Sequence, residues 1–397
     1  MSTATAPKAT VDSVRQAVIG WRRHLHQHPE LSFHEERTSQ FVADTLAGFG
    51  GLTISRPTKT SVVARLVGPR PGPVLAIRAD MDALPIVEKN THEFVSLNDG
   101  AMHACGHDGH TAMLLGAVQV LVDRKDELSG EVRFVFQHAE ELAPGGAEEL
   151  VRAGVLDGVD LVIGAHLWLL APVGQVGVRD GPLMAAPDQF TITIRGSGGH
   201  AAQPHLVVDP VVVAAQAVIN LQHIVARNVD PFQPAVVSVT CIHGGTIFNV
   251  IPESVELMGT VRTMDPALRA KVPELMRRVL DGVTRAHGAS FTLDYEEGYR
   301  PVVNDAKASA LLRRAVVRAL GKEFVVEATP TMGGEDFSAY QQRVPGSFFF
   351  IGARDEPSGK VFPHHHERFD LDERALDHGT RIFVAAALEL LGAGAPA

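Results

Sequence analysis

Residues 132–163, VRFVFQHAEELAPGGAEELVRAGVLDGVDLVI, contain two apolar runs separated by a segment with helical spacing. The runs Val132–Phe136 and Leu161–Ile163 are rich in branched or aromatic side chains, which favour strands, and Ala147–Ala153 has the pattern of a helix. A strand, a helix and a strand in this order form a parallel β-α-β unit. The segment therefore predicts a parallel sheet covered by helices.

The same alternation precedes this segment. Ser61–Leu66 and Val74–Ile77 predict two further strands, and Thr111–Arg124 predicts a helix. We therefore expect an α/β fold with a mostly parallel central sheet flanked by helices. Ligand sites in such sheets gather at the carboxyl ends of the strands. Acidic or histidine residues follow several of the predicted strands: Asp80, the pair Glu140 and Glu141, and His166.

The segment from about Ala185 to Leu293 has a different order of predicted elements, β-α-β-β-α-β, which is the ferredoxin-like split arrangement. Its strands are Phe190–Ile194, Val236–His243, Ser254–Arg262 and Ser290–Leu293, and its helices are Pro210–Val225 and Pro266–His287. We expect an inserted ferredoxin-like α+β domain at residues 185–295, which serves as a lid and in dimerisation. The catalytic domain is then discontinuous and comprises residues 1–184 and 296–397.

Composition excludes several classes of function. The 397 residues carry a formal charge of −10, so no electropositive surface is expected for nucleic acid or anionic lipid. The sequence lacks an apolar run of roughly 18 residues and a signal-peptide pattern, and its 2 cysteines suit a reducing compartment. We expect a cytoplasmic protein that binds neither nucleic acid nor membranes. The 19 histidines outnumber Tyr, Trp and Cys combined and point to a site.

Four separate segments carry side chains that could bind a metal: Cys105 with His107, Glu140 with Glu141, His166, and the run His364–His366. Each has a simpler explanation alone, namely a buried cysteine, a solvated acidic pair, a hydrogen-bonded core histidine and an exposed histidine run. Together they supply sulfur, nitrogen and oxygen donors without a redox motif. That donor set suits zinc-like divalent ions.

Six ordered motifs run through the chain: WRRHLHQHPELSFHE (21–35), RADMDALP (78–85), MHACGHDGH (102–110), FQHAEE (136–141), GHAAQPH (199–205) and NVIP (249–252). They resemble the amidohydrolase branch of the co-catalytic zinc metallopeptidase family. This branch includes hippurate hydrolases, N-acyl-amino-acid deacylases and plant auxin-conjugate hydrolases. The resemblance extends from about Val11 to Leu391 and implies a zinc-exopeptidase-like fold.

The resemblance implies two divalent metal ions per subunit, which could be Zn, Mn, Co or Ni. The implied ligands are Cys105, His107, Glu141, His166 and one late histidine. Counting back four residues from Phe369 selects His365, and His364 is the alternative. Glu367 stands where the family usually has proline, which leaves its effect on the pocket open.

The resemblance also implies roles around the metals. Glu140 is the general acid/base, Asp80 orients a site histidine or the metal centre, and His200 of a partner subunit stabilises the oxyanion. In the inserted domain Asn249 binds the carboxylate or carbonyl of the substrate, and Arg262 either binds substrate or is a solvent-facing strand residue. Gly333 lines the acyl pocket.

The implied function is metal-dependent hydrolysis of the amide bond of N-acyl amino acids by a homodimer, which releases a carboxylic acid and a free amino acid. One alternative is a dipeptidase or carboxypeptidase with the same metals. A second is a non-catalytic protein that binds acyl amino acids on the same scaffold. A hydrolase with Cys105 as nucleophile is disfavoured because a thiolate ligand already explains that residue.

Overall fold

The computed structural model describes residues 8–392, and contacts divide the chain into two compact units. The first unit comprises the chain up to Leu183, the segment Val303–Thr329 and the chain from Asp336 onward. The second unit comprises Met184–Val302 and Pro330–Glu335. Within the described residues, no helix is both long and apolar enough to cross a membrane.

The helices are α1 Val11–Gln27, α2 Glu36–Phe49, α3 His107–Val122, α4 Gly146–Arg152, α5 Pro210–Asn228, α6 Pro266–Ala286, α7 Ala306–Ala319, α8 Ser338–Gln341 and α9 Arg374–Leu391. The strands are β1 Thr53–Ser55, β2 Val62–Val67, β3 Arg70–Asp80, β4 Ser129–Gln137, β5 Leu161–Pro172, β6 Val176–Val178, β7 Gly181–Met184, β8 Ala186–Arg195, β9 Gly199–His200, β10 Ala235–His243, β11 Val250–Ile251, β12 Ser254–Thr263, β13 Ser290–Glu296, β14 Val302–Asn304, β15 Val325–Glu327 and β16 Gly346–Arg354.

The first unit is built on an eight-stranded mixed sheet with the order β1-β2-β4-β3-β5-β16-β6-β15. Its centre is parallel, because β3 pairs in parallel with β4 and β5, and β5 with β16. The α/β class with a mostly parallel central sheet is therefore confirmed. Because these central strands are parallel, the carboxyl ends of β3, β4 and β5 lie on the same side of the sheet. At this side Asp80 of β3 is paired with Gln137 of β4.

Helix α3 is almost entirely buried and begins at His107, one of the predicted metal ligands. It packs against α1 and α9, and its apolar residues belong to the core beneath the sheet. The sequence predicted a helix from Thr111, whereas the observed helix begins at His107. Gly106 explains the difference, because it adopts φ 99° at the N-cap and allows the chain to enter the helix directly after Cys105.

The second unit contains a four-stranded antiparallel sheet with the order β10-β12-β8-β13, against which α5 and α6 pack. Taken in chain order, these strands are arranged 2-3-1-4, which is the split β-α-β-β-α-β topology. Both helices start with a capping aspartate followed by proline, Asp209-Pro210 and Asp265-Pro266. These are strong helix-start signals, so the sequence located both starts.

Residues 330–335 group with the second unit, although the sequence analysis assigned them to the catalytic domain. The reason is local pairing. The backbone N–H of Ala185 donates to the carbonyl of Gly333 at 2.9 Å, and Met184 forms a β-bridge with Thr331. Gly333 is therefore a residue of the second unit.

Candidate metal centre

Five predicted ligands of the first unit come from different elements. Cys105 and His107 flank the turn at Gly106, His166 lies in β5, Glu141 follows β4, and His365 lies in the loop between β16 and α9. His365 adopts φ 65°, a left-handed conformation that costs energy for any residue with a side chain. Its backbone N–H donates to the carbonyl of Ala104 at 2.8 Å, which links this late loop to the loop that carries Cys105.

These side chains converge on one cluster. Cys105 belongs to two groups whose ligand atoms all lie within 4.8 Å of one another, one with His107 and His166 and one with Glu141 and His365. The Cys105 Sγ atom lies 3.4 Å from His166 Nε2, and His365 Nε2 lies 3.2 Å from Glu141 Oε1. The structure therefore brings together all five residues that the sequence analysis named as ligands.

Glu140 lies beside the cluster and is buried, with 7% of its surface exposed. Its Oε2 atom is 4.0 Å from His107 Nε2, and Glu141 Oε1 is 3.9 Å from the same nitrogen. The two adjacent carboxylates thus both approach the cluster. Glu140 is near enough to act on a molecule held there.

Asp82 sets the orientation of His107. Nδ1–H of His107 donates to the backbone carbonyl of Asp82 at 2.9 Å and lies 3.2 Å from its Oδ1. Asp82 also accepts the backbone N–H of Glu141 at 3.0 Å. His107 Nε2 is buried and has no hydrogen-bond partner within residues 8–392, although it faces the cluster. A histidine anchored at one nitrogen with the other directed at acids and a thiol has the arrangement of a metal ligand.

Asp80 holds a different histidine from the one that Asp82 holds. Its Oδ1 accepts from Nδ1–H of His110 at 2.6 Å, and the backbone N–H of Leu167 donates to Nε2 of the same ring at 2.8 Å. Both nitrogens of His110 are thereby used. Asp80 Oδ2 accepts from Arg78 at 2.6 Å and lies 3.8 Å from His107 Nε2. Asp80 therefore connects the cluster to a buried network rather than fixing the tautomer of His107.

His364 and His365 have different surroundings. Nε2–H of His364 donates to the carbonyl of Leu167 at 2.9 Å, and burial lowers the pKa of His364 to about 4. His365 instead faces Glu141. The geometry thus favours His365 over His364 as the late ligand.

The electrostatics of the cluster favour a cation. Burial lowers the pKa of His107, but the negative charges of Asp80 and Asp82 outweigh this effect and raise it to about 10. Burial, together with the charges of Glu141 and Glu140, raises the pKa of the Cys105 thiol well above its ordinary range. Burial keeps the pKa of His166 well below its usual value. Positive charge is therefore stabilised at the centre, and His166 is a neutral imidazole.

The remaining predicted site residues lie in the second unit. His200 is exposed in β9 opposite Val250 of β11, and the backbone carbonyl of the adjacent Asn249 accepts the N–H of Ala201 at 3.0 Å. His200 and Asn249 are thus neighbours. Arg262 is half-buried in β12, where its guanidinium donates to the Thr260 hydroxyl and to the carbonyl of Val261.

A family model described as Peptidase family M20/M25/M40 matches residues 76–389. The chain belongs to this family. The N-acyl-L-amino acid amidohydrolase of Geobacillus stearothermophilus is 61% identical over 297 residues, which are 75% of this chain and 80% of that protein. Thermostable carboxypeptidase 2 of Saccharolobus solfataricus is 41% identical over 387 residues, 96% of this chain and 97% of that protein.

A solved M20 structure has the same fold along the chain. The Bacillus subtilis YXEP protein, described as a dinuclear metal binding peptidase from the M20 family, is 40% identical. It has a TM-score of 0.84 and covers 95% of this chain and 98% of its own. The resemblance to the metallopeptidases that the sequence motifs indicated is confirmed.

Two buried groups of this M20 chain escaped the sequence analysis. Asp82 lies in the same motif as Asp80, and only the three-dimensional contact shows that it, not Asp80, anchors His107. Asp336 closes the network beneath Asp80, since it accepts from Arg78 at 2.8 Å and from Gln137 at 2.7 Å. In the sequence, the only indication of a buried role for these residues is that Asp82 stands in a largely apolar motif and Asp336 follows a pair of glycines.

Proposed function

We propose that this protein hydrolyses the amide bond of N-acyl amino acids in a metal-dependent reaction. The observation that carries the proposal is the convergence of Cys105, His107, His166, Glu141 and His365 on one cluster with the Glu140 carboxylate beside it. The amidohydrolase relative, at 61% identity, supports the amide of an acyl amino acid as the bond that is cleaved.

The donor set fits a pair of divalent cations. Within each of the two groups that share Cys105, the donor atoms lie within 4.8 Å of one another, and the two groups together offer sulfur, nitrogen and oxygen. His107 Nε2 is buried and has no hydrogen-bond partner in the described residues. The YXEP protein supports two ions per subunit. Divalent cations in this cluster would supply Lewis acidity, which polarises a carbonyl group and makes water more acidic. Zn, Mn, Co and Ni all suit these donors.

Glu140 moves the protons of the reaction. Its carboxylate takes one proton from the attacking water and delivers it to the leaving nitrogen, so that the amide and water become a carboxylic acid and an amine. Burial beside the cluster keeps this carboxylate within reach of the reacting atoms. Asp80 and Asp82 hold the surrounding histidines in place while the proton is transferred.

His200 would stabilise the oxyanion at the site of a second copy of the chain. Two features of the second unit support such a dimer. Strand β10 is an edge strand, and several apolar side chains of this unit are exposed, among them Phe232, Ile242 and Phe248. Open sheet edges favour pairing with a second chain, and exposed apolar side chains are common at association surfaces. Asn249, next to His200, would bind the substrate carboxylate, with Arg262 and Gly333 as further contacts in the same unit.

We expect subunit mixing to restore activity if His200 acts in trans. Inactive His200→Ala and Glu140→Ala dimers are dissociated, combined in equal amounts and reassociated. Half of the resulting dimers are mixed, and each holds one site with both residues intact, so about a quarter of wild-type activity should return in a two-fold symmetric dimer. Activity is measured before and after exchange. If no activity returns although mass spectrometry detects mixed dimers, His200 does not act across subunits.

A carboxypeptidase is the second candidate, because the carboxypeptidase relative matches nearly the whole chain. Both reactions release an amino acid with a free carboxylate, so they differ on the acyl side. We expect the metal-loaded protein to cleave N-acetyl-L-methionine and N-benzoylglycine faster than free-amine dipeptides or longer peptides. A chelator should abolish turnover, and adding Zn, Mn, Co or Ni should restore it.

The comparison of substrates separates the candidates. Faster cleavage of peptides would favour the carboxypeptidase. Tight binding of N-acetyl-L-methionine without cleavage, with both metals present, would indicate a non-catalytic binding protein. Amidation of the substrate carboxylate serves as a control for recognition of the amino-acid side and should lower kcat/KM in either enzyme.

A further inference from the structure

Glu35 is a fully buried carboxylate outside the cluster and plays no part in the mechanism described above. It precedes α2, but its side chain does not cap that helix. Instead, a single oxygen, Oε1, accepts two backbone N–H groups, that of Phe33 at 3.0 Å and that of Ala139 at 2.8 Å. Burial, together with the negative charge of Asp82, raises the pKa of Glu35 to about 7. A buried acid of this kind costs stability, so it points to a functional reason for its presence.

The two residues whose backbone N–H groups donate to Glu35 both have a left-handed backbone conformation. Phe33 has φ 67° and Ala139 has φ 49°, conformations that cost energy for residues other than glycine. Ala139 directly precedes Glu140. Its carbonyl accepts the N–H of Gly146 at 3.0 Å, so hydrogen bonds hold the peptide groups on both sides of Ala139. The turn at Ala139 thus lies between the end of β4 at Gln137 and Glu140.

Ser32, in the same N-terminal segment as Glu35, helps to hold the backbone of Glu141 through Asp82. The hydroxyl of Ser32 donates to Asp82 Oδ2 at 2.7 Å, and that oxygen accepts the backbone N–H of Glu141 at 3.0 Å. The pair is therefore held before Glu140 through Glu35 and after it through Asp82. Catalytic groups must be held closely, because a displacement of about 1 Å can cost roughly 100-fold in rate.

We propose that Glu35 is a positioning residue that fixes the turn at Ala139 and thereby aims the Glu140 carboxylate at the cluster. The inference rests on the function proposed above. What matters is an acceptor oxygen at the correct reach, and the negative charge is secondary. The glutamine amide carries such an oxygen at the same distance, whereas aspartate keeps the charge but is shorter by about 1.5 Å.

The experiment compares Glu35→Gln, Glu35→Asp and Glu35→Ala in the metal-loaded enzyme with N-acetyl-L-methionine. We expect Glu35→Gln to keep most of the wild-type kcat and Glu35→Asp to lose about 10- to 100-fold in kcat, with KM and metal content unchanged. Glu35→Ala should lose at least as much as Glu35→Asp. Glu36→Ala, which alters the exposed neighbour paired with Lys59, is the matched control and should leave kcat unchanged.

Two further measurements separate positioning from general destabilisation. Adding Glu35→Asp to Glu140→Gln should cause no further loss in kcat, because the residue acts through Glu140. Hydrogen exchange of the Ala139 amide should be faster in Glu35→Asp than in Glu35→Gln, and this readout does not depend on turnover. Wild-type turnover is measured first, so failure of the proposed function is recognised separately.

Three results would overturn the proposal. Glu35→Asp could match wild type while Glu35→Gln is impaired, which would assign the role to charge. The loss caused by Glu35→Asp could add fully to that of Glu140→Gln, which would mean that Glu35 does not act through Glu140. The Ala139 amide could be equally protected in both variants. If Glu35→Ala does not fold, the order of the glutamine and aspartate variants still decides.

Discussion

Glu140→Gln should lower kcat by about 10³-fold while both metals remain bound. General acid and base groups contribute roughly 10²- to 10⁴-fold. Glu140 is a buried carboxylate beside the cluster, 4.0 Å from His107 Nε2, and it belongs to neither of the two ligand groups that contain Cys105, although it forms a third group with His107 and Glu141. The amide has nearly the same shape but does not accept a proton from water. KM should stay close to the wild-type value, because the substrate contacts are unaffected. Steady-state kinetics and metal analysis by mass spectrometry test both parts.

The control for this variant is Glu148→Gln. Glu148 lies in α4, on the same segment of chain, and pairs with Arg152 on the surface. Its substitution should change neither kcat nor metal content. If Glu140→Gln loses metal to the same extent as a ligand variant, Glu140 is a ligand and the assignment of the proton-transfer role is wrong.

Much of the fold followed from local patterns in the sequence. Alternating apolar runs predicted the central strands, and the helices predicted from Pro210 and Pro266 begin at the observed starts of α5 and α6. The predictions differ from the structure where a glycine conformation or a contact between distant residues determines the backbone. The start of α3 depends on the left-handed Gly106, and the grouping of residues 330–335 depends on a hydrogen bond to Ala185. Neither has a counterpart in local periodicity.

For the site, the sequence identified the candidate ligands but not the hydrogen-bond partners that hold them. Its candidate ligands lie in compact motifs at strand ends, so chemistry and spacing were enough to name them. Which acid serves which histidine was not predictable. Asp80 and Asp82 are two residues apart in one motif, and only the packing of α3 against the sheet decides that Asp82 anchors His107 and Asp80 anchors His110. The role of the buried Glu35 could not be predicted, because the partner that links it to the site is the backbone N–H of Ala139, about a hundred residues away.

Cys105→Ala should remove at least one metal ion per subunit and lower kcat by more than about 10³-fold. Cys105 belongs to two groups of candidate ligands, one with His107 and His166 and one with Glu141 and His365, so its loss weakens both. The pKa of the buried thiol is raised, and a divalent cation is the group that would hold it as a thiolate. Metal analysis after gel filtration measures the loss, and the kinetic assay measures its consequence.

Thermal unfolding provides a readout that does not depend on turnover. A ligand that binds only the folded state stabilises it by about 2.7 kcal/mol at a concentration of 100 times its Kd. Adding Mn or Zn to the metal-depleted wild type should therefore raise Tm, and the rise should be smaller in Cys105→Ala. Cys241→Ala is the matched control, because this second free cysteine lies in β10 of the other unit. Equal metal content and equal Tm shifts in the two cysteine variants would show that Cys105 is not a ligand, and the cluster would then need a different centre.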